Sequence, residues 1–200
     1  MIVIVFVVGF LLWLIWYQSN QYRFHIKDIK EEMKLYQYEI KKEQKAFAQK
    51  HNQTIENFIK PFLDGKSKLD LSGYKKAFLL HLADDNSHTE GNEETFYLRT
   101  FADLGVIDAA ITYADIEGSL NNSWIQAFSY YKKAALLGNA YAQGKVSMCY
   151  GLGEGVTKDY HYALAWAVIG AENGDYYSNR SIELIREKIF LLALKDNLFP

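Results

Sequence analysis

The chain begins with an uninterrupted run of apolar residues from Met1 to Tyr17. As a helix, this run would extend about 25 Å, close to the roughly 30 Å thickness of the hydrocarbon core of a bilayer. Trp13, Trp16 and Tyr17 stand at its end, where aromatic rings settle among lipid headgroups. A cleaved signal peptide would show a basic start and a small-x-small site, and the run shows neither. The pattern therefore predicts a transmembrane anchor over residues 1–17.

Basic residues follow this run rather than precede it. The basic residues within about 20 positions of its end are Arg23, Lys27, Lys30 and Lys34. By the positive-inside rule they place the following body in the cytoplasm, although interspersed acidic residues weaken the preference. We expect a single-pass protein of the bacterial inner (cytoplasmic) membrane, with a cytoplasmic soluble part slightly favoured over a periplasmic one.

Apolar residues then alternate four and three positions apart along a second helical pattern. They are Tyr22, Ile26, Ile29, Met33, Tyr36, Ile40 and Phe47. This spacing is a heptad seam, interrupted by Glu43 where another core residue is expected. One interpretation is a coiled coil that pairs two copies in a homodimer. The alternatives are that the stripe packs against the solenoid or is the apolar side of a lone helix. Each of them predicts a helical stalk over residues 18–62.

A looser pair of amphipathic segments occupies residues 71–105. Residues 72–83 carry an apolar stripe, residues 84–93 are polar, and residues 94–104 carry a second stripe that stops at Gly105. We interpret this stretch as a degenerate helical hairpin with a long loop.

The next stretch, residues 106–175, repeats one pattern 36 residues apart. Ala127, Tyr130, Ala135, Gly138 and Asn139 recur as Ala163, Trp166, Ala171, Gly174 and Asp175. Self-similarity at this period indicates stacked helical hairpins, which bury their faces only against neighbours. Between the copies, residues 151–155 form a glycine-rich turn, and Asp159 is a candidate N-cap of the following helix.

Residue size within the second copy predicts how its helices pack. Ala142 and Val146 make an apolar stripe on the first helix, while Ala163 and Ala167 allow the second helix to approach closely. Trp166 should fill the space that these small residues leave. A final helix over residues 176–195 should cap the array. Its apolar side is predicted to hold Ile182, Ile185, Ile189 and Leu192.

The second copy resembles one unit of the Sel-one-like repeat family, which is related to the tetratricopeptide repeat. The resemblance rests on Ala142, Val146, Tyr150, Gly153, Gly155, Val156, Asp159, Ala163, Trp166, Gly170, Ala171, Gly174 and Asp175. A weaker copy covers residues 109–139, where the turn at 117–123 has one glycine and one extra residue. The resemblance implies an all-α fold with a short right-handed α-α superhelix after the anchor and stalk. It also implies protein–protein interaction.

The composition supports a helical protein and limits the classes of molecule that it could bind. Half of the 200 residues are apolar and only two are proline. Residues 18–70 hold 11 basic and 8 acidic residues, whereas residues 71–200 hold 11 and 16. An acidic solenoid is a poor match for nucleic acid, which we do not expect as a partner. Cys149 is the only cysteine, so no intrachain disulfide forms, and we expect it to be a small buried helix residue.

No arrangement of residues predicts catalysis. The glycine-rich turn follows a helix, whereas phosphate-binding loops of that kind follow a strand. His81, Asp84, Asp85 and His88 are metal-ligand types at close spacing, but they match no fixed ligand signature. The other histidines have no neighbouring nucleophile in the sequence. We therefore expect no enzyme, no cofactor and no metal.

The first helices of a stacked solenoid form a concave surface that binds peptides or protein faces. Side chains that fall off the packing stripe, and their equivalents at 36-residue spacing, are candidates for lining this surface. They are Thr112, Tyr113, Tyr141, Lys145, Met148 and Ser181. By contrast, Tyr130, Tyr160 and Trp166 are expected to pack between helices.

Three functions follow from these patterns. The first is a membrane-anchored adaptor or scaffold that binds a protein on its concave face, of which an immunity protein against a secreted antibacterial toxin is a special case. The second is a structural stalk that associates with itself. The third, an enzyme or metal-binding domain, would use the loop around His81 and His88.

Overall fold

The computed structural model describes residues 2–50 and 93–198, and every regular element in these ranges is helical. In chain order the helices are α1 (Ile2–Lys50), α2 (Glu93–Asp103), α3 (Ile107–Ser119), α4 (Trp124–Leu136), α5 (Ala140–Leu152), α6 (Tyr160–Glu172) and α7 (Tyr176–Leu198). The predicted all-α solenoid is confirmed. The loop with His81 and His88 and the predicted helix at 72–83 lie outside the described residues.

The helices after residue 93 stack as antiparallel pairs. α3 and α4 form one hairpin, α5 and α6 form the next, and each helix packs against its neighbour in the chain. α2 precedes the first hairpin, and α7 covers the last one. We call α3, α5 and α7 the first helices and α2, α4 and α6 the second helices.

The turn between α5 and α6 shows why this copy is so rich in glycine. Gly153 ends α5 with a φ of 82°, a left-handed conformation that side chains other than glycine rarely adopt. A Cβ atom on Gly155 would lie 2.0 Å from the backbone oxygen of Trp124, so only glycine lets the turn reach the start of α4. Asp159 then caps α6, as predicted, because its Oδ1 accepts hydrogen bonds from the backbone N–H groups of His161 and Tyr162.

Trp166 lies in the centre of the main core. Its side chain is completely buried, together with Ala135, Ala142 and Val146. The predicted role of Trp166 in packing between repeats is therefore confirmed. Cys149 is buried in the same core, and burial raises the pKa of its thiol to about 11.

The final helix covers the last hairpin as predicted, with one exception. Ile185 and Ile189 are buried against Leu164 of α6, and Ile182 packs at the edge of this cluster. Leu192 is 43% exposed, because the cluster ends at Ile189 while α7 continues past it.

The second part of α1 lies against the solenoid and contacts α4, α6 and α7. Ile29 and Ile40, both in the heptad seam, are 2% and 5% exposed within the single chain. Ile26, Met33 and Tyr36 pack partly buried against the same core. The seam is thus covered by the chain itself. This corrects the coiled-coil interpretation, in which a second copy would cover these residues, and supports the alternative that the stripe packs internally.

Three polar side chains of α1 show how its seven-residue spacing matches the spacing of the solenoid helices. Lys30, Gln37 and Gln44 are seven residues apart and contact the ends of α6, α4 and α2 in turn. Lys30 Nζ donates to Glu172 at 3.0 Å, Gln37 Nε2 to the Leu136 carbonyl at 3.0 Å, and Gln44 Nε2 to the Leu104 carbonyl at 2.9 Å. Seven helical residues rise about 10.5 Å, close to the roughly 8–10 Å between packed helices. Each heptad of α1 therefore meets the next second helix.

The described part of the chain provides no membrane span. Across residues 2–50 and 93–198, no helix combines the length and apolar character needed to cross a bilayer. The anchor over residues 1–17 stays a prediction from the sequence.

Candidate functional site

A surface pocket of about 190 Å³ lies between the first helices α5 and α7. Its lining residues are Tyr141, Gly144, Lys145, Met148, Asp175, Tyr177, Ser178 and Ser181. Four of the six residues predicted to line a binding surface meet here: Tyr141, Lys145, Met148 and Ser181. We call this feature the α5–α7 pocket.

Local capping fixes the two helices that form the α5–α7 pocket. Asn139 begins α5, because its side-chain oxygen accepts a hydrogen bond from the Ala142 N–H at 2.9 Å. Asp175 performs the same role for α7 by accepting from the N–H of Ser178 at 2.9 Å and from its hydroxyl at 2.5 Å. On α5, Tyr141, Lys145 and Met148 are four and three residues apart and therefore share one face.

The floor of the pocket is a close contact among three helices. A Cβ atom on Gly144 would lie 2.5 Å from Asp175 Oδ2 and 3.2 Å from Ser178 Oγ. A Cβ atom on Gly170 of α6 would lie 2.7 Å from the same hydroxyl. Glycine at both positions lets α7 approach α5 and α6, which places the residues of α7 beside Tyr141 and Lys145.

Lys145 supplies the positive charge of the pocket. Its ammonium lies 5.3 Å from the ring centre of Tyr141 and 5.8 Å from that of Tyr131, within cation–π range. Tyr131 is held by a hydrogen bond from its hydroxyl to Asp115, and burial followed by this bond raises the pKa of Tyr131. Within residues 2–50 and 93–198, no carboxylate forms an ion pair with Lys145.

The neighbouring lysines of α4 are engaged within the chain. Lys132 pairs with Glu32 of α1 at 2.7 Å, and Lys133 pairs with Asp103 at 2.5 Å. These lysines hold α4 to α1 and to the end of α2. Lys145, by contrast, keeps its charge available at the surface.

Two predicted lining residues lie away from the α5–α7 pocket. Thr112 is exposed on α3, and its hydroxyl donates to the Asp108 carbonyl at 2.8 Å. Tyr113 is only 7% exposed, and its ring packs edge-on against Tyr130, with 4.6 Å between ring centres. The prediction that Tyr113 lines an open surface is wrong, because it lies on the packing face of α3.

Sequence reasoning missed Tyr177, which is 73% exposed at the mouth of the pocket. The signal was available, since Tyr177 follows Tyr141 by the same 36 residues that relate Ser181 to Lys145. It also missed Asp175 as a lining residue, because its role as a helix cap is recognisable locally and its place in the pocket is not.

A buried glutamine joins the two hairpins, and sequence reasoning did not predict it. Gln143 is completely buried on α5, next to the apolar stripe. Its Nε2 donates to the Ala135 carbonyl at 3.1 Å, and its Oε1 accepts from Asn173 Nδ2 at 2.8 Å. The side chain therefore links the ends of α4 and α6 and leaves neither amide group unsatisfied.

Metal ligation finds no support in the described part of the chain, where no group of three or more His, Cys, Asp or Glu side chains is suitably arranged.

Comparison with known proteins supports the predicted repeat. The Sel1 repeat model matches residues 125–139 and 140–175, which cover α4 after its first residue and the α5–α6 hairpin. The chain is also similar to a Sel1 repeat protein from Oxalobacter formigenes, whose crystal structure matches with a TM-score of 0.46. The two sequences are 22% identical, and the match covers 66% of this chain and 98% of that chain. No curated protein matches the chain. Sel1 repeats generally mediate protein–protein interaction and are typically non-catalytic. Residues 125–175 of this chain are therefore similar to Sel1 repeats.

Proposed function

We propose that this protein is a membrane-anchored adaptor that binds a partner protein at the α5–α7 pocket. The observation that carries the proposal is the pocket itself, which brings Tyr141, Lys145, Met148 and Ser181 together on the first helices. The apolar run over residues 1–17 would hold the adaptor at a bacterial inner membrane, with the solenoid on the cytoplasmic side.

The distribution of exposed side chains supports this choice of surface. α1 contacts the second helices α4 and α6 and covers part of them. The first helices α5 and α7 keep large side chains exposed at the pocket, with Tyr141 at 43%, Met148 at 49% and Tyr177 at 73%. Tyrosine and methionine are enriched in protein interfaces, where they contribute large contact areas.

The pocket is about the size of one side chain of a partner. Its volume is about 190 Å³, and it is open to solvent on one side. We infer that a single anchoring side chain of the partner enters between Tyr141 and Tyr177. Lys145 would fix the orientation of the complex through its charge, which is a contribution to specificity more than to affinity.

Changing the pocket should weaken binding without changing the fold. We expect the double variant Tyr141→Ala with Lys145→Glu to lose at least about tenfold in affinity, or about 1.4 kcal/mol. A photo-crosslinking amino acid at Met148 would identify the partner in host cells, and calorimetry with the purified partner would then give the affinities. The melting temperature of the variant should stay near that of the wild type, because both side chains are outside the core.

A matched control exists on α1. Tyr38 and Lys42 are exposed and are also four residues apart, so Tyr38→Ala with Lys42→Glu makes the same chemical changes on another surface. This control should bind the partner like the wild type. Equal losses in the two variants, or no loss in the pocket variant, would remove the α5–α7 pocket from the proposal.

The anchor is tested by deleting residues 1–20. The full chain should sediment with membranes and resist extraction by high salt, because apolar insertion does not depend on charge. The truncated chain should appear in the supernatant with its remaining helices folded, since it keeps Tyr22, Ile29 and Ile40, which pack α1 into the core. A full chain that remains in the supernatant would contradict the anchor, and protease protection in spheroplasts would decide its orientation.

A further inference from the structure

Two buried histidine nitrogens lie between α1 and α6 without hydrogen-bond partners. They are Nδ1 of His25 on α1 and Nδ1 of His161 on α6. Buried polar atoms in folded proteins are nearly always hydrogen-bonded, so an unpaired one requires an explanation. Here two such atoms occur on the two sides of one helix interface.

One of these histidines, His25, belongs to a stack of rings that joins α1 to both hairpins. The His25 ring lies 4.1 Å from that of Tyr162 on α6, with an angle of 29° between the planes. Tyr162 stacks in turn on Tyr150 of α5 at 5.1 Å, and Tyr150 meets Phe128 of α4 edge-on at 5.4 Å. Loss of the contact at His25 would therefore disturb a stack shared by four helices.

Among the described residues, the acidic groups that act on Tyr150 and His161 are Asp159 and Glu32. Asp159 faces His161 from the start of α6, but its Oδ1 already accepts two backbone hydrogen bonds. Glu32 of α1 acts on Tyr150 and is paired with Lys132. The pKa of His161 is lowered by burial first and further by the nearby His25, while Asp159 partly opposes this shift. The folded interface thus favours a neutral His161.

We propose that His161 makes the docking of α1 on the solenoid sensitive to pH, so that acidification from about pH 7.5 to about pH 5 loosens α1. A neutral imidazole carries a proton on one nitrogen and needs one hydrogen-bond acceptor, whereas a protonated imidazole donates from both nitrogens and needs two. Protonation of His161 therefore turns its buried Nδ1 into a donor that has no acceptor among the described residues.

The direction of the effect follows from linkage. His161 binds its proton more weakly when α1 is docked than when the ring is in water. The stabilisation from the neutral His161 is therefore complete above the unfolded pKa of about 6.5 and is lost as the pH falls below it. Each unit by which docking lowers a pKa corresponds to about a tenfold change in the docking equilibrium at low pH.

Hydrogen exchange on the full chain in a mild non-ionic detergent tests the proposal. Exchange rates would be corrected for the intrinsic chemical rate at each pH and compared between residues 22–45 of α1 and the helix α5. We expect protection of α1 to fall about tenfold or more between pH 7.5 and pH 5, while α5 stays protected. The double variant His25→Phe with His161→Phe keeps aromatic rings without titration, and its α1 should stay protected at pH 5.

Tyr162→Phe is the matched control, because it keeps the stack and both histidines and should retain the pH response of the wild type. A pH response that survives the double histidine variant would overturn the proposal, as would simultaneous loss of protection in α1 and α5. An NMR titration of the His161 ring in the wild type gives an answer that does not depend on whether the double variant folds. A pKa at or above 6.5 would also overturn the proposal.

Discussion

Replacing Trp166 by alanine should destabilise the solenoid by about 3–5 kcal/mol, which is a large share of the stability of a typical domain. Trp166 is completely buried among small residues, including Ala135 and Ala142, so its removal leaves a cavity that these neighbours cannot fill. The midpoint of chemical denaturation, followed by far-UV circular dichroism, would measure the loss.

The loss should extend beyond α6. Repeats in a solenoid stabilise one another across their interfaces, so α7 should lose hydrogen-exchange protection together with the mutated hairpin. Tyr176→Ala is a suitable control, because this tyrosine is 82% exposed at the start of α7 and should change stability little. An unchanged midpoint for Trp166→Ala would mean that the observed packing of the two hairpins is incorrect.

The second large effect should come from Ile29→Asp on α1. Ile29 is 2% exposed and belongs to the main core, so the substitution removes a large apolar side chain and buries an unpaired carboxylate. We expect a loss of at least about 3 kcal/mol, since either change alone is costly. Leu35→Asp is the matched control, because Leu35 is 59% exposed on the same helix and should tolerate the charge.

This pair of variants also distinguishes internal packing from self-association. If α1 packs on its own solenoid, Ile29→Asp should lower the stability of the chain at every protein concentration. If the heptad seam joined two copies, the same variant should dissociate a dimer and leave the stability of the hairpins unchanged. Analytical ultracentrifugation with denaturation at two protein concentrations separates these results.

Local signals made much of the solenoid predictable. Glycine at positions 153 and 155 is required by a left-handed backbone and by a 2.0 Å approach to Trp124, and Asp159 accepts the hydrogen bonds of an N-cap. Each requirement acts within a few residues, so each left a recognisable residue type in the sequence. The 36-residue period then identified the hairpins that had to stack.

Surface residues were harder to predict, because exposure depends on which neighbours cover a helix face. Tyr113 and Tyr141 carry the same side chain, yet one packs edge-on against Tyr130 and the other stays open beside Lys145. Tyr177 and Asp175 became pocket residues only because Gly144 and Gly170 let α7 approach so closely. No pattern within a single helix reports such a distance.

The sequence by itself determined that the chain is helical and where the turn between α5 and α6 lies. It also determined that one face of α1 must be covered. It did not determine what covers that face, because a heptad of apolar residues fits a partner coil and a stack of helices equally well. Only the tertiary structure decided this, through Lys30, Gln37 and Gln44, which meet three successive second helices. The physical reason is a coincidence of lengths: seven residues of α-helix rise about as far as one packed helix lies from the next.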